Sequence, residues 1–218
     1  MGELILDITI SLDGFIAGPN RTLEEPLGEG GGRLHEWAFA TKSARERHGL
    51  TGGETNVDHQ LVEESVRNTA ATVMGRRMFS GGEGGWAEDP NANGWWGDEP
   101  PFHHPVFVLT QHAREALSMQ GGTTFTFVTD GIEAALEQAR AVAGEHRDVA
   151  IGGGASVAQQ YLAAGLLDRL QLHVAPVLLG DGVRLFDGNL AQAPGELQCT
   201  SVIESPAGVA HLGYRVVR

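Results

Sequence analysis

The chain has 218 residues, of which 41% are hydrophobic and 20% charged, as in folded globular proteins rather than disordered ones. Its formal net charge of −13 argues against binding to nucleic acid, because no local basic patch offsets it. A single cysteine, Cys199, excludes an internal disulfide and a cysteine metal cluster, and we expect no metal.

No stretch of the sequence approaches the roughly 20 consecutive apolar residues of a membrane span. The N-terminus, Met1-Gly-Glu-Leu-Ile, lacks the basic region of a secretory signal. We therefore expect one cytoplasmic domain over residues 1–218 that has no membrane partner.

The first 54 residues predict one strand and then a long irregular segment. Residues 4–10 form a β-rich opening strand, and 11–18 have the composition of a turn and loop. Residues 19–54 are rich in glycine and charge, with one short helix around 34–41. We interpret 19–54 as an insertion.

Helices and strands alternate from residue 56 onward. A helix that Asn56 or Asp58 can cap comes first, and a buried strand over 71–74 ends at Gly75. The later predicted elements are strands at 105–110 and 124–128, a helix at 132–143 opened by Asp130, a strand from Val149, a helix at 157–164, and strands at 169–174, 197–203 and 209–217. This order predicts an α/β fold with a mostly parallel sheet and an antiparallel C-terminal edge.

A second irregular segment, 80–104, carries three tryptophans, Trp86, Trp95 and Trp96. Two interpretations are open. The tryptophans can form a satellite hydrophobic cluster beneath a long loop, or they can belong to a lid over a substrate.

The strand that ends at Ile151 passes through Gly152, Gly153 and Gly154 directly into a helical pattern. Glycine lets the backbone approach a ligand closely, and the N–H groups and dipole of a helix N-terminus favour negative charge. The pattern is typical of a phosphate site. A tight turn without a ligand is the alternative.

Gly75, Arg76 and Arg77 repeat the order of strand, glycine and helix start, with cations added. Ligands of open α/β sheets lie beyond the carboxyl ends of the strands, so two such turns predict one elongated ligand. Guanidinium groups suit a phosphate, such as one on an adenosine ribose. The alternative is a pair of solvated surface charges.

Five blocks in order give the chain a family resemblance. They are Ser11 to Ala17, Met74 to Phe79, Val108 to Thr110, Ile151 to Ser156, and Ala175 to Phe186. In these blocks the chain resembles the dihydrofolate-reductase-like superfamily, and within it the reductase domain of the riboflavin-biosynthesis deaminase-reductase and its free-standing bacterial relatives. The resemblance implies a three-layer α/β/α domain. The Rossmann fingerprint GxGxxG is absent.

The resemblance also implies an NADPH-dependent reductase. Gly153, Gly154, Ala155 and Ser156 match the turn that receives the pyrophosphate, and Ile151 and Gly152 before them are also expected to bind the cofactor. Gly75 with Arg76, followed by Arg77, matches the element at the adenosine end. Leu109 and Thr110 match the strand end beside the adenine ribose, while Thr9, Ile16 and Ala17 would flank the nicotinamide. The protein would supply position and electrostatics to the cofactor's chemistry.

Reduction of a carbonyl or imine needs a proton donor, for which we consider Asp13, Glu36 and His173. Asp13 precedes a glycine and also suits an ordinary turn. Glu36 is the nearest candidate by position for the helix carboxylate of true dihydrofolate reductases. His173 lies on a strand that matches one bordering the substrate pocket, although a strand histidine is more often only hydrogen-bonded.

Three functions are compatible with the sequence. The first is an NADPH-dependent reductase that acts on a small carbonyl or imine, resembling 5-amino-6-(5-phosphoribosylamino)uracil reductase. The second is folate reduction, which needs a buried carboxylate facing the pterin. The third is a nucleotide-binding module without turnover. A chain with one cysteine cannot contain the zinc deaminase domain of the bifunctional enzyme, which binds zinc through cysteine and histidine ligands. The resemblance also favours a homodimer built through the late strands.

Overall fold

The computed structural model describes residues 2–82, 84–186, 190 and 193–218. Its strands are β1 (Leu4–Ser11), β2 (Phe15–Ala17), β3 (Thr69–Gly75), β4 (Pro105–Leu109), β5 (Leu117–Ser118), β6 (Thr124–Val128), β7 (Asp148–Ile151), β8 (Arg169–Ala175), β9 (Val183–Arg184), β10 (Glu196–Glu204) and β11 (Ala210–Val217). Its α-helices are α1 (Glu36–Phe39), α2 (Lys42–Arg47), α3 (Val57–Asn68), α4 (Arg76–Ser80), α5 (Gly131–Ala143) and α6 (Ala155–Ala163). No helix within the described ranges is long and apolar enough to cross a membrane.

Nine strands form one sheet in the order β10-β11-β8-β1-β7-β3-β4-β6-β5. The six strands from β8 to β6 are parallel, while β10 and β11 add antiparallel strands at one edge and β5 adds one at the other. The mostly parallel sheet with its antiparallel C-terminal edge is confirmed. β5 and the small β2–β9 sheet were not predicted, because strands of two or three residues carry no periodic pattern.

Helices cover both faces of the sheet, as the three-layer prediction requires. Alternate side chains of β1 point to opposite faces. Leu4, Leu6 and Ile10 join the main hydrophobic core, which includes residues of α5 and α6. Ile5 and Asp7 face the opposite side, where they line a cavity together with residues of α3.

The cap of α3 is Asn56, whose side-chain oxygen accepts hydrogen bonds from the backbone N–H groups of Asp58 and His59. Asp58, the other predicted cap, instead turns its carboxylate into the protein, where it is 1% exposed. Asp130 occupies the N-cap position of α5 as predicted but makes no side-chain capping bond.

The two insertions contain more structure than expected. Residues 19–54 hold a 3-10 helix at Gly31–His35 as well as α1 and α2, instead of one short helix. In segment 80–104, Trp86 and Trp96 pack on a buried cluster that includes Phe79, and Trp95 stacks on Trp96 with ring centroids 4.5 Å apart. The interpretation of the tryptophans as a satellite cluster is therefore confirmed.

Candidate functional site

The two predicted glycine turns lie side by side at the carboxyl ends of neighbouring parallel strands. The N–H of Gly75 donates to the carbonyl of Gly153 at 3.0 Å, and the N–H of Gly152 donates to the carbonyl of Val73 at 2.8 Å. Gly153 has a φ of +110°, which few residues other than glycine adopt. The structure thus brings Gly75 and the turn at 152–154 together as one backbone surface.

The turn is shaped to admit a ligand. A Cβ added at Gly154 would meet no atom within 4 Å, whereas one added at Gly152 would lie 2.7 Å from Cγ2 of Thr72. Gly154 is the N-cap of α6 and supplies no side-chain capping bond, and Ala155 and Ser156 begin the helix. The first N–H groups of a helix lack intrahelical acceptors, so this open end suits an anionic group.

Arg76 is not a solvated surface charge. Its side chain is 8% exposed, its Nη2 lies 2.5 Å from Oδ2 of Asp89, and its Cζ lies 3.6 Å from the ring centroid of Trp86. Asp89 also accepts a hydrogen bond from the hydroxyl of Ser80. Arg77 is exposed. Of the predicted arginine pair, Arg76 therefore already has an internal anionic partner in this conformation.

The remaining predicted cofactor residues lie at strand ends. Leu109 ends β4, and the next residue, Thr110, donates its N–H to the carbonyl of Val128 at 3.1 Å. Ile16 and Ala17 lie in β2, which pairs with β9. Thr9 lies opposite His173 in the register of β1 and β8.

Asp13 has the geometry of a turn residue. Its carboxylate accepts hydrogen bonds from the hydroxyl of Ser11 at 2.6 Å and from the N–H groups of Leu179 and Gly180. The Ser11 bond, with the backbone bonds, lowers the pKa of Asp13 to about 2 against a smaller opposing effect of desolvation. Asp13 is thus ionised at neutral pH and has no proton to donate.

His173 is the centre of a buried row of hydrogen bonds. Its Nε2 lies 2.7 Å from Oδ1 of Asp7, and its Nδ1 lies 2.6 Å from Nδ1 of His211. His211 Nε2 lies 2.9 Å from Oδ1 of Asp58, whose Oδ2 accepts a bond from the hydroxyl of Ser205 at 2.8 Å. The row joins β1, β8, β11 and α3.

The row holds one proton more than two neutral imidazoles supply. Each of the three contacts Asp7–His173, His173–His211 and His211–Asp58 needs one hydrogen between its two atoms, whereas two neutral imidazole rings carry only two N–H hydrogens in total. Burial raises the pKa of Asp7, but the hydrogen bond and charge of His173, with Ser65 and Arg169, outweigh it and leave that pKa lowered. Burial is the main cause that lowers the pKa of His211. The row as a whole therefore holds this extra proton, next to the carboxylate of Asp7, whose pKa is lowered.

Trp37, rather than Glu36, enters this cluster from the first insertion. Its ring centroid lies 4.6 Å from that of His173 and 5.0 Å from that of His211, and its Nε1–H donates to Oγ1 of Thr9 at 3.2 Å. Glu36 begins α1 and is exposed. The structure does not bring Glu36 to His173.

A cavity of about 270 Å³ opens beside the Asp7–His173 end of the row. It lies between α3 and the sheet, and its lining includes Leu61, Ser65 and Arg169 as well as Asp7 and His173. His173 and its carboxylate partner Asp7 therefore face a space large enough for a small molecule.

Four residues of this region were not predicted from the sequence as members of a site: Asp7, Asp58, His211 and Trp37. Asp7 gave one signal, an acid inside an otherwise apolar strand, and Asp58 was considered only as a cap. His211 and Trp37 gave no local signal, because their role depends on the pairing of β8 with β11 and on the path of the first insertion.

Known proteins share the fold of this chain. The model of the RibD C-terminal domain family matches residues 3–211. No curated protein sequence matches the chain. Among solved structures, a riboflavin biosynthesis protein from Shewanella superposes with a TM-score of 0.65 at 20% identity, covering 99% of both chains.

Two longer proteins contain a similar unit. The deaminase/5-amino-6-(5-phosphoribosylamino)uracil reductase of Thermotoga maritima superposes with a TM-score of 0.56 at 15% identity, over 99% of this chain and 56% of that protein. RibD of Acinetobacter baumannii gives a TM-score of 0.55 at 15% identity, over 100% of this chain and 59% of that protein. The chain thus spans little more than half the length of these two structures, and identities this low show a shared fold.

Proposed function

Because the chain belongs to the RibD C-terminal domain family, a family of oxidoreductases, we propose that it is an NADPH-dependent reductase of a small carbonyl or imine compound. One observation carries the proposal, the hydrogen bond between Gly75 and Gly153 that joins two glycine turns at the carboxyl ends of β3 and β7. Such a place is where open α/β sheets bind nucleotides.

The residues present fit a dinucleotide. The open space at Gly154 and the N-terminus of α6 would receive the pyrophosphate, while Gly75, Leu109 and Thr110 would border the adenosine end. When bound, NADPH supplies the hydride. Arg77 is exposed and lies in the first turn of α4, close to Gly75 in the chain. We infer that Arg77 contributes to the preference for a phosphorylated ribose.

The protein's own contribution to the chemistry is a proton. The buried row holds one proton more than two neutral imidazoles, and its member His173 lies opposite Thr9, the residue that would flank the nicotinamide. Asp7 holds the imidazole of His173 in place through Nε2. An acid at the cavity wall can protonate the oxygen or nitrogen of an acceptor as its carbon is reduced. The substrate we favour is an aminopyrimidine with a reducible ribosyl carbonyl or imine, as the resemblance implies.

Folate reduction is less well supported. It needs a helix carboxylate that faces the pterin, and α3 does present a buried carboxylate in Asp58. Both oxygens of Asp58 accept hydrogen bonds, from His211 and from Ser205. The carboxylate is therefore occupied by the protein itself.

Cofactor titration tests the proposal. Gly154 has a φ of −83° and open space, so Gly154→Asp should fold while placing a negative charge where the pyrophosphate would lie. We expect NADPH affinity to fall at least about tenfold, given the usual worth of one charge-assisted hydrogen bond. Gly32→Asp, at another glycine with open space, is the matched control and should bind normally. Equal NADPH affinity in the wild type and Gly154→Asp would refute the binding of NADPH at the two glycine turns.

Turnover separates an enzyme from a binding module. We expect NADPH oxidation with at least one compound from a panel of carbonyls and imines. This oxidation should be lost in His173→Gln. Binding without turnover across the panel would favour the module.

We also propose a homodimer through β10 and β11. The exposed side chains Leu197 and Val202 lie on β10, at the open edge of the sheet, with Val217 on β11. Unpaired edges with apolar side chains are typical sites of association. Light scattering should give a dimer mass for the wild type and a monomer for Val202→Lys; a wild-type monomer would contradict the proposal.

A further inference from the structure

A second cavity, of about 250 Å³, lies between α2, α3 and β3. Its polar lining includes Arg47, His48, Thr72 and His104, and its apolar walls are Ala44, Val62, Val66, Pro101, Phe102 and Ala150. None of the residues that line it within the described chain is acidic. In a protein with a net charge of −13, this cavity is a local region of uncompensated positive charge.

Arg47 is the main cation of the cavity. One terminal nitrogen donates to the carbonyl of Pro101, whereas Nε is buried and has no hydrogen-bond partner among the described residues. The ion pairs of the described chain do not include Arg47. Burial lowers the pKa of its guanidinium. Burying a charged group without a counterion is costly, and a bound anion would offset that cost.

His104 shows the effect of this charge. Its Nε2 lies 2.7 Å from Oγ1 of Thr72. The pKa of His104 is lowered to about 4. Burial is the largest cause, and Coulombic interactions with Arg47, Arg147 and His103 contribute the rest. Arg147 donates to the carbonyl of Thr69, which also lines the cavity. Two arginines from distant parts of the chain, Arg47 and Arg147, thus act on one imidazole.

We propose that this cavity binds a small oxyanion, a phosphate or carboxylate group carried on a compact body, that pairs with Arg47. The hydroxyl of Thr72 and the imidazole of His104 can add hydrogen bonds, and Val66 and Phe102 can pack against the body. The cavity shares Ser65, Thr69 and Ala150 with the cavity beside His173. The anion can therefore belong to the tail of the reducible substrate or to a separate effector, and its binding does not depend on hydride transfer.

Inorganic phosphate and benzoate are the probes, titrated separately into the whole protein and followed by calorimetry and by the NMR signals of the His104 imidazole. We expect saturable binding and a rise in the pKa of His104, because an anion favours its protonated form. Arg47→Gln should weaken binding at least about tenfold. Arg45→Gln makes the same charge change on the same helix, where Arg45 donates to the carbonyl of Thr51, and should leave the affinity unchanged.

The wild-type titration decides the proposal even if Arg47→Gln fails to fold. His104 signals that do not respond to either probe would overturn it, as would equal losses of affinity in Arg47→Gln and Arg45→Gln. Since the signal comes from His104, phosphate bound at the glycine turns cannot produce it. Once turnover is measured, phosphate that competes with the substrate identifies a substrate tail, and phosphate that acts without competing identifies an effector.

Discussion

Acidification should destabilise the protein through His104. The pKa of this imidazole is about 4 in the folded protein, mainly because of burial, against an ordinary value of 6.5. A histidine with a lowered folded pKa binds protons more readily when unfolded, so its full contribution is present above about pH 6.5 and is lost as the pH falls toward 4. The difference of about 2.5 pH units corresponds to about 3 kcal/mol, of which about 2 kcal/mol is lost between about pH 7 and pH 5.

Urea unfolding of the wild type and His104→Gln at these two pH values measures the effect. The glutamine amide can still hydrogen-bond to Thr72 but cannot titrate. We expect the free energy of unfolding to fall by about 2 kcal/mol more in the wild type than in the variant. Equal losses in the two proteins, or an NMR titration that gives His104 an ordinary pKa, would refute the reasoning.

Three further substitutions test the site. Asp58→Ala should lower the free energy of unfolding by about 2–4 kcal/mol, because His211 and Ser205 lose the acceptor against which they are buried; unchanged urea unfolding would contradict this. Arg77→Ala should weaken NADPH about tenfold and leave NADH unchanged, and parallel titrations that show equal effects would remove the phosphate contact. Trp37→Phe should cost about 1 kcal/mol, the worth of its hydrogen bond to Thr9; a thermal melt with no change would argue against that bond.

The parts of the fold that depend on local sequence could be predicted. The alternation of strands and helices predicted the parallel sheet, and Gly75 and Gly152–Gly154 predicted where two strands turn into helices, because glycine interrupts a strand locally. The apolar strand patterns and the turn at Asp13 are equally local.

The buried row could not be predicted in the same way. Its members Asp7, His173 and His211 meet only through the register of β1, β8 and β11, and Asp58 reaches them because α3 begins over that face. The ion pair of Arg76 could not be predicted for a similar reason, since its partner Asp89 comes from the irregular segment 80–104. Interactions between distant parts of the chain leave no periodic signal in the sequence.

A crystal structure of the protein with NADPH would test the central claim most directly. We predict that the pyrophosphate oxygens lie within hydrogen-bond distance of the N–H groups at 153–156. The adenosine end should lie beside Gly75 and the nicotinamide near Thr9. A dinucleotide bound elsewhere, with the turn at 152–154 empty, would contradict the account.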